Sequence, residues 1–323
     1  MWPYLFPFPF LNFDCTKEQT ENNIVCFCCL KKEQDSCNNT RLFNKIMSRA
    51  FLIKKNNTNN GGEEEDDGDI TTEQIGYVLK ISLNRPDNKN YNAFTPKMFQ
   101  KLGEAFTLLE KTDSVRCGVL VGNGRHFCAG IDMAKTTFDA KLFPIGEVDP
   151  CNLYPPKRTK PLICAVHGVT FTVGLEVALA GDVIIAAKGC RFGQLEVKRG
   201  TISFFGGTFR IMERAGYSNA MRYLLTGDEF NEVEAKEMGL VQEIVDTPEL
   251  AKEKAMELAN KISQQAPLAV METLKSANMA LQYGAETAIN ALAGQVRYLR
   301  ETKDFAEGVL SFKEKRDAVY TGE

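Results

Sequence analysis

The chain has 323 residues, of which 44% are hydrophobic and 25% charged, with a formal net charge of -3. That balance belongs to an ordinary globule and offers no broad basic surface for nucleic acid. No run approaches the ~18 apolar residues of a membrane-spanning helix, so neither nucleic acid nor membrane is an expected partner.

Residues 1 to 70 differ in character from the rest. "MWPYLFPFPFLNF" is aromatic and broken by proline, without the basic start and unbroken apolar core of a secretion signal. The runs "KKNNTNNGG" and "EEEDDGD" cannot bury enough apolar surface to offset ordering entropy, so this region reads as a disordered extension. Met47 opens "MSRAFLIKKNN", which is basic and free of acids, as a short organelle presequence would be. The acids in the first 35 residues argue against one in the chain as written. Five of the ten cysteines lie in the first 37 residues. Cys26, Cys28, Cys29 and Cys37 have neither a histidine nearby nor zinc-ribbon spacing. They read as reduced, unpaired thiols, and no metal site is expected.

Order is expected to begin near Ile75. "IGYVLKISLN" alternates, with Tyr77, Leu79, Ile81 and Leu83 on one strand face, and Arg85-Pro86 ends it. A helix starts at Thr95 with Pro96 in its first position. A strand at Cys117–Val121 leads into "HFCAGIDM", a loop whose small residues let a ligand approach backbone N–H groups. An irregular stretch then runs to Lys160. "PLICAVHG" reads as a buried strand, "VGLEVALAG" as a helix closed by Gly181, and "DVIIAA" as a strand. After "RFGQLEV" and a glycine-rich turn, helices dominate. Ser218 and Gly227 bracket one, Asn231 and Glu234 form a capping box, Thr247-Pro248 opens another through Lys261, and three more fill residues 267 to 317. The alternation predicts an α/β core with a helical appendage. "GNGRHFCAG" lacks the G-x-G-x-x-G spacing of a dinucleotide-binding turn.

The two histidines, His126 and His167, are too few for most histidine metal sites and count against a Ser/His/Asp triad. His167 ends an apolar strand and reads as structural. Acid–base chemistry falls to carboxylates. Glu176 has Thr172, Val173, Leu179 and Ala180 as helical neighbours, so its carboxylate points inward and its pKa should rise. Read alone, it could equally be a first-turn acid stabilised by the helix dipole. Glu196 lies one helix, one strand and one turn later, enough chain to return to the same pocket. By itself it reads as a solvated strand end. Two acids sharing a pocket can take separate acid and base roles.

"HFCAGIDM", "KPLICAVHGVTFTVGLEVALAGDVIIAA" and "CRFGQLEVKRGTISFFGGT" resemble, in order and spacing, the signature blocks of the enoyl-CoA hydratase/isomerase (crotonase) family. "LTGDEFNEVEAKEMGLVQEIV" and "DFAEGVLSFKEKRDAVYTG" resemble its helical tail. The resemblance covers about residues 73 to 323 and leaves residues 1 to 70 without a counterpart. It implies a ββα spiral core over residues 71–262 and a C-terminal helical trimerisation region over 263–323. It implies an oxyanion hole formed by the N–H groups of Ile131 and Val173 around an acyl-CoA thioester, with Ala129, Gly130, Asp132, Met133 and Phe204 bordering the substrate and Lys315 contacting CoA phosphate. Glu176 would activate water and Glu196 would protonate the α-carbon. No cofactor is implied, because CoA belongs to the substrate.

The expected activity is enoyl-CoA hydration. Double-bond isomerisation, or a non-catalytic binding role, stands as the alternative. Departures are visible: Thr172-Val173-Gly174 replaces a glycine triplet, and Ser203-Phe204-Phe205 replaces Pro-Gly-Ala. "RPDNKNYNAF" carries about two extra residues. The resemblance also implies a homotrimer or a hexamer, and the tail offers apolar helix faces for it, with Ala306, Val309, Leu310 and Phe312. The ending "YTGE" is not a peroxisomal signal, and the compartment stays open between cytoplasm and mitochondrion.

Overall fold

The computed structural model describes residues 67–85, 91–136 and 146–323. The expected N-terminal disorder and the Cys26–Cys37 thiols lie outside these residues. The polypeptide enters through an antiparallel hairpin, β1 (Asp69–Ile75) and β2 (Val78–Asn84), turning at Gly76-Tyr77. This corrects the expectation of a single strand through Tyr77. Order is already present at Asp69, inside the stretch assigned to the extension, and Tyr77 belongs to the turn. Leu79, Ile81 and Leu83 are buried as expected.

Helix α1 (Pro96–Lys111) follows, with the Thr95 hydroxyl accepting the Met98 N–H as N-cap. Strands β3 (Cys117–Gly122), β4 (Leu162–Val166), β6 (Val183–Ala187) and β9 (Glu243–Val245) continue the sheet in parallel, in the order β1-β2-β3-β4-β6-β9. A smaller sheet holds β5 (Val169–Phe171), β7 (Arg191–Gly193) and β8 (Phe230–Asn231). Successive strands alternate between the two sheets: β4 then β5, β6 then β7. The helix α2 (Val173–Ala180) bridges one turn to the next. This alternation is the ββα spiral.

Both faces of the large sheet are covered, which is why its strands are apolar at consecutive positions. On one face, Cys117, Val119, Val121, Ile163, Ala165 and Ile185 meet Ala251, Ala255 and Ala259 of α6 (Pro248–Ser263). Those alanines recur every four residues on one stripe, and their small side chains bring the helix close to the strands. On the other face, Leu79, Ile81, Leu83 and Leu120 pack with Met98, Phe99, Leu102 and Phe106 of α1 and with Leu175 and Leu179 of α2. Cys117, Cys128, Cys151, Cys164 and Cys190 are buried and unpaired, behaving as small hydrophobes.

Beyond the small sheet run α3 (Gly207–Ala215), α4 (Tyr217–Leu224) and α5 (Glu232–Glu237). The Asn231/Glu234 capping box forms as read. Three helices, α7 (Pro267–Tyr283), α8 (Ala285–Arg300) and α9 (Lys303–Glu314), close the chain. Arg116 ties this appendage to the core: its guanidinium donates to Ser263 O at 3.0 Å and Tyr320 O at 2.7 Å. None of the described helices is long and apolar enough to cross a membrane.

Candidate active site

The loop after β3 is held by buried polar groups. Asn92 donates to Asn123 O at 2.7 Å and His126 O at 2.8 Å, and its Oδ1 accepts the Arg85 N–H at 2.7 Å. Arg85 donates to Asp132 Oδ2 at 2.8 Å, and Asp132 Oδ1 accepts the N–H of Ala134 at 3.0 Å. Burial works against the Asp132 carboxylate, but the Arg85 hydrogen bond and charge outweigh it and hold its pKa below the usual value. Asp132 was expected to border substrate; its oxygens are engaged in holding the loop.

Phe94 pairs with the residues on either side of Ile131. Its N–H donates to Gly130 O at 2.7 Å, and its carbonyl accepts from Asp132 N at 2.9 Å. Strand geometry then turns the Ile131 N–H away from Phe94, and that N–H makes no hydrogen bond among the described residues. Val173 is the first residue of α2, where an N–H has no intrahelical acceptor, and its N–H is likewise unengaged there.

Two glycines let loop and helix start approach each other. A Cβ on Gly130, at φ 106°, would fall 1.8 Å from Thr172 Oγ1, and one on Gly174 would fall 2.6 Å from Cys128 O. Thr172, at φ 47° and ψ -123°, adopts a backbone conformation that a β-branched residue rarely takes. Its N–H donates to Gly193 O at 2.8 Å. Here the missing glycine of the triplet is compensated: Thr172 keeps the positive φ, and Gly130 provides the room for its side chain.

Glu176 is fully buried, as its apolar neighbours predicted. Oε1 accepts two backbone N–H groups, from Phe205 and Gly207, each at 2.8 Å. Oε2 is buried without a partner among the described residues. Burial pushes the pKa up from 4.5 to about 7; the Gly207 and Phe205 N–H groups oppose that rise and the charge of Glu196 adds to it. Glu196 opens a 3-10 turn, Glu196–Arg199, rather than ending a strand. It is partly buried, and burial raises its pKa too. The Gln194 side-chain amide, with its nitrogen facing the carboxylate, donates to both Glu196 oxygens at 2.9 and 3.0 Å. A Cβ on Gly207 would sit 2.6 Å from the Gln194 side-chain amide and 3.1 Å from Glu176 Oε1. Gly207 therefore marks the point where the two acids' supports converge.

The remaining expectations are met unevenly. Ala129 and Gly130 lie in the loop beside Ile131. Met133 projects outward at 64% exposure, and Phe204 is 51% exposed. Phe205 is buried instead, its ring 5.2 Å from that of Phe99. Lys315 caps α9 at φ 56°, and its ammonium makes no hydrogen bond or ion pair among the described residues. His167 donates from Nε2 to Gly124 O at 3.0 Å, and burial lowers its pKa, in keeping with a structural group. Among the described residues no cluster of three or more His, Cys, Asp or Glu side chains could hold a metal ion. Gln194 and Arg210 were not anticipated. Neither carries a local signal, because what matters is the partner that the fold brings to it.

The family model for enoyl-CoA hydratase/isomerase matches residues 73–323. The chain is 32% identical over 256 residues to 1,2-epoxyphenylacetyl-CoA isomerase of Escherichia coli K12, covering 76% of this chain and 95% of that protein. It is 33% identical over 260 residues to (E)-benzylidenesuccinyl-CoA hydratase of Thauera aromatica, covering 78% and 99%. The crystal structure of enoyl-CoA hydratase from Mycobacterium tuberculosis H37Rv superposes with a TM-score of 0.71 at 32% identity, over 79% of this chain and 99% of that one. Two buried-edge carboxylates beside two unengaged backbone donors, on a ββα spiral shared with these proteins, identify the chain as a member of the enoyl-CoA hydratase/isomerase family with the crotonase fold.

Proposed function

We propose that the chain is an enoyl-CoA hydratase, adding water across the α,β double bond of an acyl-CoA thioester. The observation that carries this is Glu176: one oxygen is fixed by two N–H donors, and the other is buried without a hydrogen-bond partner among the described residues. A carboxylate so placed can orient a water and take its proton. With a pKa raised to about 7, it is basic enough to do so near neutrality.

The reaction follows from the geometry. The thioester oxygen accepts from the Ile131 and Val173 N–H groups. Water adds its oxygen to the β-carbon while Glu176 takes one of its protons. The π electrons move toward the thioester, and the two N–H groups hold the negative charge on its oxygen. Glu196, whose raised pKa favours the protonated form, delivers a proton to the α-carbon as the enolate collapses. No cofactor takes part. The isomerase reading is supported by the family description and by relatives whose names carry both activities. An isomerase moves a proton between carbons and needs one carboxylate for it, whereas here both are held in place.

The reading extends to assembly. Helices α7 to α9 expose Leu281, Ile289, Val296, Val309, Leu310 and Phe312, the last at 85%. Apolar residues in that number signal a protein-covered surface, in accord with a homotrimer or a hexamer made of two. The test of function is the loss of conjugated-thioester absorbance when purified protein meets crotonyl-CoA. Glu176→Gln and Glu196→Gln should each lower the rate ~10²–10⁴-fold. Full hydration by Glu176→Gln would remove it as the base. Conversion of a 3-enoyl-CoA without hydration of crotonyl-CoA would instead establish the isomerase.

A further inference from the structure

Arg210, on the first turn of α3, is a cation that the reaction scheme leaves unused. Its guanidinium is largely enclosed, and burial lowers its pKa. It makes no ion pair among the described residues. Instead it donates to two carbonyls, Phe205 O at 3.1 Å and Cys151 O at 2.6 Å. An enclosed charge without a paired anion is costly, so something must offset it.

The 205–207 turn shows what. Its N–H groups, from Phe205 and Gly207, point at Glu176 Oε1. Its carbonyl, from Phe205, points at Arg210. A Cβ on Gly206 would fall 2.8 Å from Arg210 Nη1, and one on Gly207 would fall 3.1 Å from Glu176 Oε1. The two glycines thus form a thin backbone layer, with the guanidinium against one and the carboxylate against the other.

Other charged groups face the pair. Asp149 and Cys151 lie in the segment before β4, and Glu196 comes from the 3-10 turn. Glu213 and Arg214 share α3 with Arg210. Asp149 accepts the N–H groups of Cys151, Leu153 and Tyr154, and its charge favours the Arg210 cation more than that of Glu176 does. Glu213 is exposed, where water screens it. Arg214 donates to Leu179 O and Gly181 O at the far end of α2. Arg210 is the cation that acts on Glu176.

We propose that Arg210 is the positioning residue of this site: its grip on the Phe205 carbonyl clamps the 205–207 turn, and with it the Phe205 and Gly207 N–H donors, onto Glu176. The proposal rests on Glu176 serving as the base. It predicts two separable losses. Arg210→Gln removes the charge, so Glu176 should hold its proton to higher pH. Because the ionised form is the active one, the acidic limb of kcat/KM should move to higher pH. Arg210→Lys keeps the charge but not the two-pronged grip. Its acidic limb should stay where it is in the parent while kcat falls about tenfold and KM changes little, because a misplaced base weakens the chemical step.

The measurement is a carboxyl-carbon NMR titration of Glu176, assigned by difference with Glu176→Gln, alongside pH–rate profiles on crotonyl-CoA. An unchanged Glu176 midpoint in Arg210→Gln overturns the proposal. If that variant does not fold, Arg210→Lys decides it: a displaced limb, or an undiminished kcat, overturns it. The NMR titration does not depend on turnover. A parent that fails to hydrate crotonyl-CoA would therefore remove the hydratase reading while the effect of Arg210 on Glu176 is still read directly.

Discussion

Replacing Glu176 by glutamine should abolish hydration and, at the same time, stabilise the protein in a pH-dependent way. The side chain is fully buried, and its pKa rises from 4.5 to about 7. That difference of about 2.5 pH units corresponds to about 3 kcal/mol at 1.36 kcal/mol per unit. The sign follows from proton linkage. Below pH 4.5 the carboxyl is protonated in both folded and unfolded chains, and burying it carries no ionisation cost. Between 4.5 and about 7 the unfolded chain releases the proton while the folded chain retains it, so the parent loses stability as pH rises. Above about 7 the cost is complete.

Glutamine is neutral throughout and similar in shape. Its carbonyl oxygen can still accept from Phe205 and Gly207. Denaturant unfolding of parent and Glu176→Gln at pH 4.5 and pH 8, at one protein concentration because assembly contributes to stability, should show little difference at the lower pH. The variant should be more stable by up to about 3 kcal/mol at the higher one. A gap that does not change with pH, or a variant less stable at pH 8, would refute the picture of a base held at the expense of folding.

Three further outcomes are expected. The kcat/KM of the parent should fall as pH drops below about 7, since protonating Glu176 removes the base; a profile flat down to pH 5 would place the titrating base elsewhere. Gly174→Ala would ordinarily stabilise a helix by about 1 kcal/mol. Here its Cβ meets Cys128 O at 2.6 Å, so the helix start must shift away from the Ile131 loop and kcat should drop tenfold or more; an unaffected kcat would mean the two backbone donors do not act together. Phe204→Gly should raise kcat/KM for long-chain enoyl-CoA more than for crotonyl-CoA, because the half-exposed ring is the bulk that replaces glycine there. A parent whose kcat/KM climbs steadily with chain length would contradict the constriction.

How much of this was legible in the sequence depends on whether a feature is local. Apolar runs and caps are local, so β3, β4, β6 and every helix but α3 were readable from pattern and capping residues; α3 starts at a glycine without a side-chain cap. The β1 strand was not: "DITTEQI" is an exposed edge with no buried alternating face, and in sequence a polar edge strand looks like a continuation of the acid run before it. Glu176 could be picked out because its own helix is apolar on every side. Glu196 was less plain: the chain between them allowed it to return to the pocket of Glu176, but alone it read as a solvated strand end, because the Gln194 amide that meets its carboxylate carries no local signal.

The departures from the family pattern show the same division more sharply. Val173, Phe204 and Phe205 look alike in the sequence, three large residues where small ones are usual. The structure separates them. Phe205 turns into the core against Phe99 and offers only its N–H to Glu176. Val173 is buried among the core residues. Phe204 alone keeps its ring exposed to solvent. A side chain's size is written in the sequence, but the side of the backbone on which it falls is set by the pairing of distant segments. Phe205 is turned inward because its N–H must face Glu176, so the support of the base and the shape of the acyl site are fixed by the same three-residue turn. Widening the site at Phe204 should therefore leave the base intact, whereas a substitution at Gly207 could not alter one without the other.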